Sequence, residues 1–251
     1  MKVPCASAKR DDNFSGTKTR MPILNPIAEN LWELSRPVKL PGLRVGHRMT
    51  VARLQTGELW VHSPVACDAM LAAELKTMGE PQHFVAPSTY HDLYWKEWFT
   101  NFREATFYCA PGLNENRREF AFDRVLSHNV REPWESELPK VLVRGMPKIN
   151  EFVFLHQATG TLIVTDLVFN FDVAQQNLLG KLFLKLNGVY GRVGCSRIFR
   201  HFIKDRDAFE KSISEILALD FDRLVLAHGA IVDTGGKQTL TRAFEWLLRN
   251  G

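Results

Sequence analysis

Three short apolar runs constrain this chain's fold more than any other feature. His83-Phe84-Val85-Ala86 stops at Pro87, Leu162-Ile163-Val164-Thr165 stops at Asp166, and Leu224-Val225-Leu226-Ala227 stops at His228-Gly229. Runs of this length without polar alternation suit strands buried on both faces. Other stretches fill in the pattern. Met49 to Leu54 and Glu58 to His62 predict a hairpin across Gln55-Thr56-Gly57, after a polar–apolar lead-in at 27–40 closed by Pro41-Gly42. Thr106 to Cys109 predicts a further strand, and Glu151 to Leu155 and Thr161 to Thr165 form a β pair joined by the turn 156–160. Helical spacing covers Ala66 to Met78, Asp207 to Leu217 and Lys237 to Asn250. Ser88 or Thr89 is expected to cap a helix running to about Arg103, and Asn170 to Tyr190 is expected to be one long helix. Hairpins mixed with strand–helix units predict an α/β fold with a mixed sheet. No internal repeat or Pro/Ser linker divides residues 25–251, so one domain is expected over 21–251.

The charge is unevenly placed. The net is +4, of which residues 1–20 carry +3. That segment is polar and Lys/Ser/Thr-rich, and a disordered tail is expected there. It lacks the apolar stretch of a secretory signal. A near-neutral body gives nucleic acid little to bind, so no nucleic-acid partner is expected. No run of eighteen apolar residues exists, so no membrane-spanning helix and no membrane partner are expected. Cys5, Cys67, Cys109 and Cys195 show no CxxC spacing and read as reduced thiols, which fits a cytoplasmic protein.

His91, Asp166 and His228 share one setting: each lies where a predicted buried strand runs out into a loop. In open α/β sheets that rim is where ligands bind. Two imidazoles and a carboxylate on one rim suit a divalent ion. His156 does not belong with them. At the turn of its hairpin it lies five residues along the strand from the open end, about 16 Å from Asp166. His47, His62, His83, His128 and His201 have no comparable placement and read as structural. The apolar residues of 170–190 exceed what one core face needs, so part of that segment is expected to form a lid or a homodimer surface.

Several segments resemble a known group. The order hairpin, strand–loop–His–helix, strand–Asp and strand–His-Gly resembles the metallo-β-lactamase-like superfamily. The segments ELWVHSPV, FVAPSTYHDLYWKEWF, FYCAPGL, NEFVFLHQATGTLIVTDLVFN and LVLAHG are similar to a family within it described as a domain of unknown function. The resemblance covers roughly residues 27–250 and implies an αββα sandwich, two mixed β-sheets flanked by helices, with the site along one edge. The superfamily's His-x-His-x-Asp-His motif aligns its last His with His91, and its other positions with Ala86, Ser88 and Tyr90. Its bridging Asp aligns with Asp166 and its last His with His228, while Ser63 replaces the acidic residue that ends its first hairpin. No His stands at 145–148. The resemblance therefore implies one metal position, held by His91, Asp166 and His228. Asp92, beside His91, reads as a helix-start residue, with a shift into a fourth ligand position as the alternative. Zinc suits three ligands with open positions; iron suits two His and one carboxylate equally.

The expected function is a mononuclear metal-dependent hydrolase of a small-molecule substrate. Asp166 is ligand and orienter, and Tyr90 or Tyr94 is the candidate oxyanion donor. The alternatives are an iron oxidoreductase and a catalytically silent, metal-free member that binds a ligand or partner.

Overall fold

The computed structural model describes residues 23–40 and 42–248. The expected disordered tail at 1–20 lies outside the described residues. Strands β1 (Asn25–Ala28), β2 (Leu31–Leu40) and β3 (Leu43–Arg53) form an antiparallel ladder, and β4 (Glu58–His62) pairs back on β3. Helix α1 (Ala69–Met78), capped by Asp68, returns the chain to β5 (Glu80–Ala86), which lies parallel to β4. Helix α2 (Trp95–Asn101), β6 (Thr106–Cys109), α3 (Leu113–Asn116) and β7 (Arg124–Val125) complete a seven-stranded sheet in sequence order.

The second sheet holds β8 (Lys140–Leu142), β9 (Phe152–His156), β10 (Thr161–Val164) and, after helices α4 (Leu178–Leu186), α5 (Arg197–Arg200) and α6 (Arg206–Ala218), β11 (Arg223–Leu226). Its order is β11-β10-β9-β8, with β10 and β11 parallel and the other pairs antiparallel. Helix α7 (Gly236–Leu248) closes the described chain.

Three apolar layers make this a four-layered α/β/β/α stack. Trp60, Val85 and Tyr108 of the first sheet meet Phe154, Ile163 and Val225 of the second. Phe84 and Phe107 point the other way, onto Leu71 and Leu75 of α1 and Trp95 and Trp98 of α2. Leu162, Val164, Leu224 and Leu226 point outward onto Phe209 and Ile213 of α6 and Phe244 of α7. Side chains alternate faces along a strand, so a strand covered on both sides must be apolar at every position. That is why the three runs lack alternation, and why their ends are the places where polar groups begin.

Three expected elements differ. Residues 27–40 are not a lead-in: they hold the end of β1 and all of β2, one arm of a long hairpin with β3. Pro37, paired with Gly46, interrupts the strand pattern without breaking the ladder. The helix expected from Ser88 or Thr89 starts only at Trp95. Ser88 Oγ accepts the Tyr90 N–H, Thr89 Oγ donates to the Lys148 carbonyl, and Tyr94 sits in the left-handed region at φ 67°. The helix expected over 170–190 is confined to α4. Asn170 is tied into the loop after β11 instead, by its N–H to the His228 carbonyl and by the Ala230 N–H to its own. Asn177 caps α4 by accepting from the Gly180 N–H.

Candidate metal centre

Backbone pairing delivers three strand ends to one edge. Val164 of β10 pairs with Leu226 of β11, and the Ala227 N–H donates to the Val164 carbonyl, so Asp166 and His228 leave the sheet side by side. The first sheet is stitched to this edge. The Phe152 N–H donates to the Pro87 carbonyl and the Arg48 N–H to the Ala227 carbonyl. The loop after β5 therefore brings His91 over Asp166.

One donor atom from each of His91, Asp166 and His228 lies within 4.8 Å of the others. His91 Nε2 is 3.5 Å from Asp166 Oδ2, and His228 Nε2 is 3.4 Å from Asp166 Oδ1. Both imidazoles are held from behind. His228 Nδ1–H donates to the Gly46 carbonyl at 2.6 Å, and His91 Nδ1 shares a hydrogen with Ser63 Oγ at 2.6 Å. Held by Nδ1, each ring turns Nε2 to the carboxylate, the orientation that a metal-ligating imidazole needs. Burial alone would raise the Asp166 carboxyl, but the two imidazoles, His91 foremost, outweigh it and hold it below the ordinary carboxylate range.

These residues fit a divalent ion. Charge-assisted N–H···O bonds run about 2.7–2.9 Å, shorter than the two contacts here. Donors on one tetrahedral ion with bonds of about 2.1 Å stand about 3.4 Å apart; the two imidazole–carboxylate contacts have that length, one to each oxygen of Asp166, and the whole donor set lies within 4.8 Å.

A supporting layer escaped the sequence reading. Glu151 Oε1 and Oε2 accept the Thr165 and Asp166 N–H groups at 2.6 and 3.0 Å, fixing the backbone from which Asp166 projects. Burial, then the Asp166 charge, pushes the Glu151 carboxyl up to about 8. His47, read as structural, stands 4.9 Å from the His91 ring, and its Nε2–H donates to the Ser63 carbonyl at 3.0 Å. Burial, then His91 and His228, lowers it to about 3, so it is neutral at pH 7. Ser63 adopts φ 52°, unusual for a residue with a Cβ. His62 behind it is buried against Trp60 and Phe154 with neither ring nitrogen paired. The usable signal for His47 is its register in β3, which starts at Leu43 rather than at the expected Met49.

The other candidates fall apart from this centre. Asp92 pairs with Arg117 and is not available as a fourth ligand. His156 pairs with Thr161 at the opposite end of β10, and its Nδ1 bonds Thr159 Oγ1 at 2.7 Å. Tyr94 sets its ring edge-on to His47, 6.1 Å away. Tyr90 lines a cavity of about 320 Å³ that opens from the three donors. Val45, Phe169, Phe183, Ile198 and Phe199 form much of its wall, and among the described residues that line it Asp166 is the only acidic or basic one other than histidine.

The geometry can be set beside known proteins. Residues 28–187 match the model of a family described as a domain of unknown function (DUF4336). No curated protein matches the sequence. Solved structures do match in fold. The chain is similar to the DIM-1 metallo-β-lactamase in a crystal exposed to ceftazidime, with a TM-score of 0.62, 14% identity, and 89% of this chain and 96% of that one covered. It is similar to a metallo-β-lactamase from Pontibacter korlensis, with a TM-score of 0.61, 14% identity, and 91% and 99% covered. It is also similar to a metal-soaked Flv1 flavodiiron core from Synechocystis sp. PCC6803, with a TM-score of 0.60, 12% identity, and 90% and 60% covered. The fold is therefore metallo-β-lactamase-like, as the sequence motifs implied.

Proposed function

The chain belongs to the family described as a domain of unknown function (DUF4336), and from its site we propose a mononuclear metal-dependent hydrolase of uncharged, apolar carbonyl compounds. One observation carries this reading: two imidazoles, each anchored through Nδ1, turn Nε2 onto one buried carboxylate at 3.4–3.5 Å. His91, Asp166 and His228 hold the ion. A divalent ion held there would supply Lewis-acid chemistry toward a water or a carbonyl. Asp166 contributes the one anionic donor and stays ionised between the two rings. Glu151 keeps the Asp166 backbone in place, and Ser63 holds the His91 ring through Nδ1 with Nε2 facing Asp166. The apolar wall excludes water and favours an acyl group. Tyr90, at its edge, is the candidate donor to a developing oxyanion. Among the described residues the wall holds no Lys or Arg, which disfavours phosphoesters, since these need cationic partners.

Two imidazoles and one carboxylate also make the donor set of non-haem iron, so an iron oxidoreductase is the second reading. The test is turnover of p-nitrophenyl esters of neutral acyl chains by protein loaded with zinc or iron. We expect chelator-sensitive hydrolysis that Asp166→Asn lowers at least about a hundredfold. No turnover with either metal would overturn the hydrolase. A chain that takes up neither ion under supplementation would leave a non-catalytic, ligand-binding member of the fold.

A further inference from the structure

Residues 178–198 contain Lys181, Lys185, Arg192 and Arg197 and no aspartate or glutamate. That equals the net +4 of the whole chain. The same segment carries exposed apolar side chains. On α4, Leu178 is 85% exposed, Leu179 71% and Leu186 62%, with Leu182 and Phe183 also exposed. Gly180 and Leu184 are the buried residues of this helix. At about 100° per residue, the five exposed side chains fill one arc of about 140° on the side away from Leu184. Lys181 and Lys185 border that arc. An ordinary surface helix turns its apolar stripe inward; α4 turns its wider stripe out. Phe183 and Ile198 continue this surface to the mouth of the cavity, where Tyr90 and Leu93 are exposed as well.

We propose that the segment 178–198 docks on an anionic lipid bilayer. Its leucines and Phe183 enter the boundary between headgroups and acyl chains, and its lysines and arginines meet the phosphates. Charge selects this occupant. A second copy would set two cationic faces against each other, and residues 1–20 carry five cationic residues against two acidic ones, so they are repelled too. A bilayer with acidic headgroups satisfies both the apolar and the cationic parts. No helix among the described residues is long and apolar enough to cross a membrane. The expectation of no membrane partner rested on that kind of feature, and a helix lying in the interface does not need it. The docking does not depend on the metal. Its corollary does rest on the proposed function: an acyl substrate enters the cavity from the lipid side.

The test is flotation of the full-length chain with vesicles of phosphatidylcholine alone and of phosphatidylcholine with phosphatidylglycerol. We expect binding to the anionic vesicles only. Lys181→Ala with Lys185→Ala weakens it about twentyfold, and Leu182→Ser with Leu186→Ser at least about tenfold. Leu182, Lys185 and Leu186 are exposed and Lys181 is half-buried, so an unchanged melting temperature keeps the result about binding. Failure to float with phosphatidylglycerol, or equal flotation of either double variant, overturns the proposal. So does a wild-type dimer in light scattering that Leu182→Ser with Leu186→Ser dissolves. Hydrolysis of soluble esters without flotation would remove the docking and leave the hydrolase standing.

Discussion

The metal-competent rim and the segment 178–198 border one cavity and invert the usual partition of side chains in opposite directions. At the rim, polar groups are buried, and each ligand candidate has a named holder: Ser63 for His91, Gly46 for His228, Glu151 for the backbone of Asp166. Along 178–198, apolar groups are exposed and cations flank them. Burying polar groups lowers stability unless they are paired, and exposing leucine forgoes burial. The rim is preorganised, so changing it disturbs the fold or the donor set. The segment is shaped for a surface outside the chain, so changing its outer face leaves the fold intact.

The largest expected effect breaks the rim. Gly229 has φ +106°, and a Cβ there would stand 1.9 Å from the Asn170 carbonyl oxygen. Gly229→Ala should lower stability by more than about 3 kcal/mol, read as a shift in the urea midpoint. A shift under about 1 kcal/mol would show that the loop carrying His228 is soft. Next comes a contrast within α4. Leu184 is buried beside Phe169 and Val189, and Leu184→Ala should cost about 2–4 kcal/mol. Leu182→Ser should stay within about 0.5 kcal/mol. Equal costs for the two would mean that the outward face packs on something after all.

Ser63→Ala removes the 2.6 Å partner of His91 without touching a donor atom. Metal affinity, measured by competition with a chromophoric chelator, should fall about ten- to a hundredfold. The smallest effect is a pH trend. Burial holds His83 and His156 below the ordinary 6.5. The unfolded chain therefore takes up their protons first, so the stability they contribute is present above pH 6.5 and lost as the pH falls below it. His47 and His62, also lowered by burial, act in the same sense, while Glu151, raised to about 8, opposes them because the folded chain keeps its proton over this range. Four histidines outweigh one carboxyl, so melting temperature should decline from pH 7 to 5. A rise over that range would contradict it.

The strands were legible where both faces are covered, because a run such as Leu162 to Val164 has no other use. Their ends, and so the placement of His91, Asp166 and His228, followed from the same logic. His47 did not, because its position depends on pairing across a ten-residue ladder that Pro37 disguises. Glu151 did not, because its partners are backbone N–H groups at 165 and 166, which no side-chain pattern records. The apolar excess around 178–186 was visible, but periodicity says only that a stripe exists. Which way it faces was set by Leu184 and Gly180 against the body.

Elemental analysis of the purified chain tests the central claim most directly. The account predicts one zinc or iron per wild-type chain, loss of that ion in His91→Ala, and full retention in His156→Ala, whose ring lies at the far end of β10. Undiminished metal in His91→Ala, or loss in His156→Ala, would contradict it.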